Sequence, residues 1–169
     1  MEVQSGGLRP SDGRTVGIFE TYKLVHIVTG PSVSANPVAS TEQLAELQSA
    51  CRKVYVDPSL ITYAVKLVSA TRNPDKHGLK ELRRFITYGA SPRATINLTE
   101  ASRALAMLRG RSYVLPEDMT DLVPDVFRHR LVLSYEALSE GLSADAVIGK
   151  IMARIPAPPK PLEHEAMAA

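Results

Sequence analysis

The sequence has a single cysteine, no tryptophan and an aromatic content of only 5%. One cysteine, Cys51, excludes an internal disulfide and fits a reducing compartment. Few aromatic residues, together with many Ala and Leu, favour helices packed through small side chains over an aromatic-rich β-sandwich. No run approaches the ~18–20 apolar residues of a membrane-spanning helix, and the N-terminus lacks a signal-peptide layout. These absences predict a mainly α-helical, cytoplasmic protein with no membrane partner.

Residue patterns for metal binding and covalent catalysis are also missing. None of the four histidines lies at ligand spacing from Cys51 or from another histidine, so no metal site is predicted. Cys51 falls on a predicted apolar stripe, which is typical of an inert buried thiol. The Gly149-Lys150 pair is followed by Ile151 instead of the Ser or Thr of a Walker A motif, and no acidic pair follows an apolar strand as in Walker B. We therefore expect no catalytic residues, no cofactor and no ATP turnover for the chain alone.

Composition divides the chain into three zones. Residues 1–36 form a poorly specified segment that is either strand-like or disordered, and within it the β-branched and aromatic stretch 15–30 predicts one or two strands. Residues 37–155 carry helical periodicity and predict a bundle of about five to six helices. Residues 156–169 are proline-rich without apolar periodicity, which predicts a disordered tail. The expected fold is mainly α, with a short β piece near the N-terminus.

Capping signals and apolar spacing place the first helices. A capping box at Ser40 and Gln43 predicts one helix, and Asp57-Pro58 predicts the start of the next. The apolar stripes expected for them are Leu44, Leu47 and Cys51, and then Ile61, Ala64, Val65 and Val68. Residues 71–78 predict a loop, because the residue before Pro74 disfavours helix. Beyond that loop, a short helix is indicated by Leu79, Leu82 and Ile86.

The clearest helical pattern follows Pro92. Its inner face is predicted to consist of Ala94, Leu98, Ala101, Leu105 and Leu108, with Gly110 ending the helix. Another helix should begin at Pro116, and Pro124 should break it or start a new one. Ser143 is the expected cap of a last helix, whose apolar residues are Val147, Ile151 and Ile155.

The start of the helix after Pro92 carries an unexpected charge. If Ser91 is the cap, Arg93 lies in the first turn, where the helix dipole makes a cation cost about 0.3–1 kcal/mol relative to a well-placed one. A cation is useful there when an anion is shared between its guanidinium and the unpaired backbone N–H groups. The alternative is that Arg93 pairs with a surface carboxylate such as Glu42 or Glu81.

Four segments follow one another over roughly 120 residues: 52–74 (RKVYVDPSLITYAVKLVSATRNP), 88–98 (YGASPRATINL), 108–119 (LRGRSYVLPEDM) and 125–148 (DVFRHRLVLSYEALSEGLSADAVI). In this order they resemble the C-terminal helical lid of MoxR-type AAA+ ATPases. The resemblance extends from Pro37 to about Pro159. It implies that this region folds as an AAA+ lid.

The resemblance also implies a role for Arg93. In such proteins the arginine of a Gly-Ala-Ser-Pro-Arg segment is called sensor 2, and it reaches from the lid toward the γ-phosphate of ATP on the core domain. Carried over, the nucleotide-binding residue is Arg93, with Gly89, Ala90, Ser91 and Pro92 in support. ATP and Mg²⁺ are implied only together with a complete core domain. Residues 1–36 do not resemble the P-loop or the acidic strand of such a core.

Partners follow from the same resemblance. They are the AAA+ core domain, the neighbouring subunits of a homo-oligomeric, hexameric ring, and proteins with von Willebrand A domains. The implied function is that of a lid module in ATP-driven, chaperone-like remodelling. The isolated chain is expected to be inactive.

Two other classes of function stay open. A standalone protein-interaction module would expose a partly apolar docking surface. A nucleic-acid-binding face is suggested by the basic residues Lys76, Lys80, Arg83, Arg84 and Arg93. It is less favoured, because Glu81 interrupts the basic segment and the net charge of +2 is close to zero. Residues 128–131 (RHRL) belong to the resemblance without an assigned role.

Overall fold

A computed structural model describes residues 37–159, which contain six α-helices, three 3₁₀ turns and one two-stranded sheet. The elements are α1 (Thr41–Arg52), α2 (Pro58–Arg72), β1 (Ile86–Tyr88), α3 (Arg93–Leu108), α4 (Pro116–Phe127), β2 (Val132–Leu133), α5 (Tyr135–Ser139) and α6 (Ala144–Arg154). The 3₁₀ turns are Pro74–His77, Lys80–Leu82 and Arg128–Arg130. The prediction of a mainly α bundle with five to six helices is confirmed. The strands predicted at 15–30 lie outside the described residues.

Several helix boundaries fall where capping chemistry predicts them. Asp57 accepts a hydrogen bond from the backbone N–H of Ser59 (2.8 Å), with Pro58 in the first helical position of α2. The Ser143 hydroxyl accepts from the backbone N–H of Ala146 (3.2 Å) at the start of α6. Gly110, which follows the C-cap residue Arg109 of α3, adopts a φ of 74°, the left-handed conformation that ends many helices.

The core is formed chiefly by one face each of α2, α3, α4 and α6. Its largest fully buried side chains include Leu60, Leu67, Leu98, Met119, Phe127, Ile148 and Ile151. β1 and β2 pair antiparallel, with Ile86 opposite Leu133, and so join the segment before α3 to the segment after α4. The sheet therefore connects the two ends of the α3–α4 hairpin.

The predicted inner faces of α2 and α3 are partly wrong. In α2, Ile61 and Val65 are exposed, whereas Leu60, Tyr63 and Leu67 are buried beside the correctly predicted Ala64 and Val68. In α3, Leu108 is 81% exposed and Ala101 and Leu105 are half-buried, whereas Ala94 and Leu98 are buried as expected together with Ser102 and Ala106. The Ser102 hydroxyl donates to the Leu98 carbonyl (2.7 Å), so it can be buried at little cost. Apolar spacing alone does not detect such a residue.

Pro124 does not break α4, contrary to the prediction. The helix runs from Pro116 to Phe127 with Pro124 inside it. A proline removes one helical hydrogen bond, but an unbroken helix keeps Met119, Val123 and Phe127 on one face, where each is at most 1% exposed. Burial of these three side chains, roughly 1.5–3 kcal/mol each, outweighs the lost bond.

The segment between α2 and α3 differs from the expected loop and helix. α2 continues to Arg72, and residues 74–77 and 80–82 form 3₁₀ turns. Leu79, Leu82 and Ile86 are buried as an apolar set, but Ile86 belongs to β1, so the predicted helix is wrong. Pro74 starts a tight turn that closes at Gly78, whose φ is 73°.

The first helix and the tail depart from the bundle in different ways. α1 has no buried residue, Leu44 and Leu47 are each 52% exposed, and Cys51 is half-buried, so the stripe predicted for α1 is not part of the core. Of the predicted tail 156–169, the structure describes 156–159. In that part Ala157 packs against the core.

Candidate functional site

The segment that leads into α3 is fixed against the C-terminal end of α2. The backbone N–H of Ala90 donates to the Thr71 hydroxyl (2.9 Å), which in turn donates to the Val68 carbonyl (2.7 Å). Ala90 is completely buried. A Cβ on Gly89 would lie 2.4 Å from the Thr71 carbonyl oxygen, so only glycine allows this approach. Gly89 does not have a positive φ, so glycine is needed here for the close contact with the Thr71 backbone and not for an unusual backbone conformation.

Arg93 is presented to solvent at the first residue of α3. Pro92 is the N-cap, no side-chain hydrogen bond caps the helix, and Ser91 accepts from the backbone N–H of Ala94 through its carbonyl oxygen (2.8 Å). The predicted side-chain cap by Ser91 is therefore wrong. Pro92 already has helical dihedrals, φ −55° and ψ −25°, so the turn closes through backbone atoms. Ser91, Pro92 and Arg93 are all exposed, whereas Gly89 and Ala90 anchor the segment.

The Arg93 guanidinium forms no hydrogen bond or ion pair with any described residue, Glu81 included. Other cations nearby are engaged: Arg83 approaches Asp75 (3.9 Å), and Arg84 pairs with Glu140 (3.2 Å) while lying over the Phe85 ring. The alternative prediction, that Arg93 pairs with a surface carboxylate, is therefore not met among the described residues. Two of the basic residues in the segment 76–93, Arg83 and Arg84, therefore already have carboxylate partners within the chain.

A side-chain amide connects Arg93 to the RHRL segment. With its amide in the orientation that satisfies both of its polar groups, Asn97, four residues after Arg93, donates through Nδ2 to the Arg93 carbonyl oxygen (3.1 Å) and accepts through Oδ1 from Arg130 Nη2 (2.6 Å). Arg130 is half-buried and Asn97 is exposed. Arg93, Asn97 and Arg130 therefore form one connected group at the start of α3.

The turn between α3 and α4 contains a buried carboxylate that sequence reasoning missed. Asp118 is fully buried and accepts from Arg109 Nη1 (2.8 Å) and from Arg111 Nη1 and Nη2 (2.7 and 2.6 Å). Its Oδ2 also accepts from the backbone N–H of Leu115 (2.8 Å). Burial raises the pKa of Asp118, but the hydrogen bonds from Arg111, Leu115 and Arg109 outweigh burial and leave this pKa below 3.8. The sequence signal was a pair of arginines on either side of Gly110, followed by an acidic residue, Asp118, at the third position of α4.

Other candidate sites lie apart from Arg93. A groove of about 660 Å³ runs between α2 and residues 154–158, and Tyr63, Lys66 and His77 line it, but none of residues 89–93 does. Within residues 37–159 no group of three or more His, Cys, Asp or Glu could hold a metal ion. No helix in the same range is long and apolar enough to cross a membrane.

Comparisons with known proteins match this helical region. The family model described as the AAA lid domain matches residues 82–151. Chaperone MoxR1 of Mycobacterium tuberculosis is 40% identical over 131 residues, covering 78% of this chain and 34% of that protein. Protein MoxR of Paracoccus denitrificans is 39% identical over 110 residues, covering 62% of this chain and 32% of that protein.

A solved structure has the same fold. A protein from Cytophaga hutchinsonii, provisionally named an ATPase, superposes with a TM-score of 0.70 at 33% identity, over 84% of this chain and 44% of that one. The chain thus spans about a third of the length of the two MoxR relatives and less than half of the solved protein. The helical region of this chain is an AAA lid domain of the MoxR type.

Proposed function

We propose that this chain acts as the lid of a MoxR-type AAA+ ATPase and that Arg93 is its sensor-2 arginine. The observation that carries this proposal is an exposed guanidinium without an ion-pair partner among residues 37–159, at a helix N-terminus on a rigidly docked loop. A cation there costs the helix about 0.3–1 kcal/mol. No described carboxylate compensates for it, so the placement suits an anion supplied from outside the lid.

The donor groups at this site fit a phosphate. Arg93 offers a planar, permanently charged fork that matches phosphate oxygens, and the first turn of α3 adds the positive end of the helix dipole. ATP would supply the phosphoryl group whose developing charge such an arginine stabilises. The described residues hold no carboxylate cluster suited to Mg²⁺, so residues of the core domain would have to bind it. Gly149 and Lys150 lie inside α6 and offer no phosphate-binding loop.

Within a complete protein, the lid would convert nucleotide state into movement. The Thr71–Ala90 hydrogen bond and the Gly89 contact tie Arg93 to α2, so a force on the guanidinium is passed to the bundle. Release of that contact after hydrolysis would free the lid, as in other nucleotide-gated closures. Ring assembly, remodelling of client proteins and binding of von Willebrand A domains belong to the same proposal, by resemblance to MoxR proteins.

The test is nucleotide-dependent recruitment of the purified chain to the P-loop core domain of a MoxR-type protein. We expect ATP with Mg²⁺ to promote the complex and Arg93→Ala to weaken it about 10- to 100-fold, because a hydrogen bond to a charged group contributes about 1.5–3 kcal/mol. Arg83→Ala is the matched control, since Arg83 is 65% exposed in the same basic segment. Equal recruitment of wild type and Arg93→Ala would reject the sensor-2 assignment.

A protein-interaction module is the second candidate. It is favoured by α1, which buries no residue and exposes Leu44 and Leu47. If the chain binds the core domain equally well with and without nucleotide, and Leu47→Ser abolishes that binding whereas Arg93→Ala does not, this second function replaces the first.

A further inference from the structure

The two arginines of the RHRL segment make different contacts. Arg128 pairs with Asp125 (3.1 Å) and Asp145 (2.8 Å), which ties the 3₁₀ turn to α4 and α6. Arg130 makes no ion pair with the described carboxylates, and its Nη2 instead donates to Asn97 Oδ1 at 2.6 Å. Its Nε is buried without a hydrogen-bond partner. The Arg130 side chain is thus half-buried up to its Nε, while its Nη2 donates to the Asn97 amide.

We propose that Arg130 is a positioning residue for Arg93, acting through the Asn97 amide. This inference rests on the proposed function of Arg93 in phosphate binding. The Asn97 Nδ2 group donates to the Arg93 carbonyl oxygen (3.1 Å), so it restrains the peptide group next to the Cα atom that carries the Arg93 side chain. The first turn of a helix is otherwise prone to fraying, and α3 has no side-chain cap.

The charge of Arg130 strengthens this connection. A hydrogen bond from a guanidinium is shorter and stronger than one between neutral groups, and it polarises the amide that donates to Arg93. A neutral donor or water on Asn97 would hold the amide less firmly. The charge of Arg130 therefore helps to order the first turn of α3. The Arg93 guanidinium remains available to bind an anion.

The geometry can be tested on the chain by itself. In a ¹⁵N-resolved spectrum, the Asn97 side-chain NH₂ protons should exchange with water at least about fivefold faster in Arg130→Met than in the wild type, by the loss of one anchoring bond. Arg128→Met is the matched control, because Arg128 lies in the same turn but pairs with Asp125 and Asp145. Unchanged Asn97 exchange in Arg130→Met would overturn the proposal.

The functional link is tested by a double-mutant cycle in the recruitment assay. Arg130→Met and Asn97→Ala should each weaken nucleotide-dependent recruitment about tenfold, and neither should have a further effect in Arg93→Ala, because all three act through one guanidinium. Arg128→Met should stay within about twofold of the wild type. If Arg130→Met fails to fold, Asn97→Ala carries the cycle, since Asn97 is exposed.

The outcomes separate this inference from the proposed function. Additive losses in the Arg93→Ala background would mean that Arg130 acts independently of Arg93, and the inference falls. No loss in Arg130→Met, while Arg93→Ala weakens recruitment, rejects the positioning role and leaves Arg93 as sensor 2. If Arg93→Ala itself has no effect, the proposed function and the positioning role are both rejected.

Discussion

At the scale of single residues, the charged groups of this lid fall into two kinds. Asp118 is buried and has its oxygens occupied by two arginines and a backbone N–H. Arg93 is exposed and has no side-chain partner among the described residues. A buried charge that loses its partner leaves an uncompensated ion, whereas an exposed cation is solvated by water. Asp118 therefore supports folding, and Arg93 can be removed without cost to the fold.

Asp118→Asn should lower the free energy of unfolding by about 3 kcal/mol, because Arg109 and Arg111 lose the carboxylate that compensates them. Chemical denaturation of wild type and variant measures this loss. The control is Asp121→Asn, which removes an exposed partner of Arg109 and should change stability by no more than about 1 kcal/mol. Equal effects of the two substitutions would contradict a special role for the buried carboxylate.

The pH dependence of stability follows from the lowered pKa of Asp118. Its pKa lies below 3.8 in the folded chain and near 3.8 in the unfolded chain, so the stabilisation is complete above about pH 4–5. It is lost as the pH falls below 3.8 toward the folded pKa, since the unfolded state binds the proton first. Unfolding curves measured from pH 7 to pH 3 should show the difference between wild type and Asp118→Asn constant at first and then shrinking. A difference that grows on acidification would contradict the assignment.

At the scale of elements, the loop before α3 depends on a contact with the backbone of α2. The close approach of Gly89 to Thr71 and the Ala90–Thr71 hydrogen bond fix where α3 begins relative to α2. Helices α2 and α3 then share the core through Leu67 and Leu98. The position of Arg93 is thus determined by packing between helices as much as by its own helix.

Gly89→Ala should destabilise the chain by about 1–3 kcal/mol, because the added Cβ would lie 2.4 Å from the Thr71 carbonyl oxygen and the loop must move. Gly149→Ala is the matched control, since a Cβ at Gly149, inside α6, meets nothing within 4 Å. That substitution should stabilise α6 by about 0.5–1 kcal/mol. Thermal unfolding of both variants measures the contrast, and a neutral Gly89→Ala would show that the loop is not docked as described.

Local signals predicted element starts well and element faces less well. The caps at Asp57 and Ser143 and the stop at Gly110 depend on short-range chemistry that a sequence displays directly. The faces of α2 and α3 depend on what lies across the core. In α2 both exposed Ile61 and buried Leu60 are apolar, so spacing could not choose between them.

The candidate site divides in the same way. Arg93 is proposed as a site residue from its position after Ser-Pro and from resemblance, both of which are readable from sequence. The partners of Asp118 and the Asn97–Arg130 hydrogen bond join residues of different elements, and these contacts exist only once the bundle has formed. The Ser-Pro-Arg sequence predicts a side-chain cap by Ser91, but in the structure the backbone carbonyls of Ser91 and Pro92 accept the hydrogen bonds of this turn.

At the scale of the whole described region, burial is unevenly distributed. Helices α2, α3, α4 and α6 supply the fully buried side chains, whereas α1 supplies none. Buried apolar area is the main source of stability, and short helices without it are marginal in water. The bundle from α2 to α6 should therefore unfold as one cooperative unit, with α1 opening at much lower free energy.

Amide hydrogen exchange followed by mass spectrometry measures this difference. Peptides covering α1 (Thr41–Arg52) should exchange through local opening, at rates that do not change when the core is weakened by Leu98→Ala. Peptides covering α2 and α3 should exchange only through global unfolding, and faster in Leu98→Ala, because Leu98 is fully buried and its truncation costs roughly 2–5 kcal/mol. Leu108→Ala, at an 81% exposed position of the same helix, is the matched control and should leave every rate near that of the wild type. Protection of α1 equal to that of α2 would mean that α1 is held by contacts beyond its own exposed face, and the bundle would then have to be extended to include it.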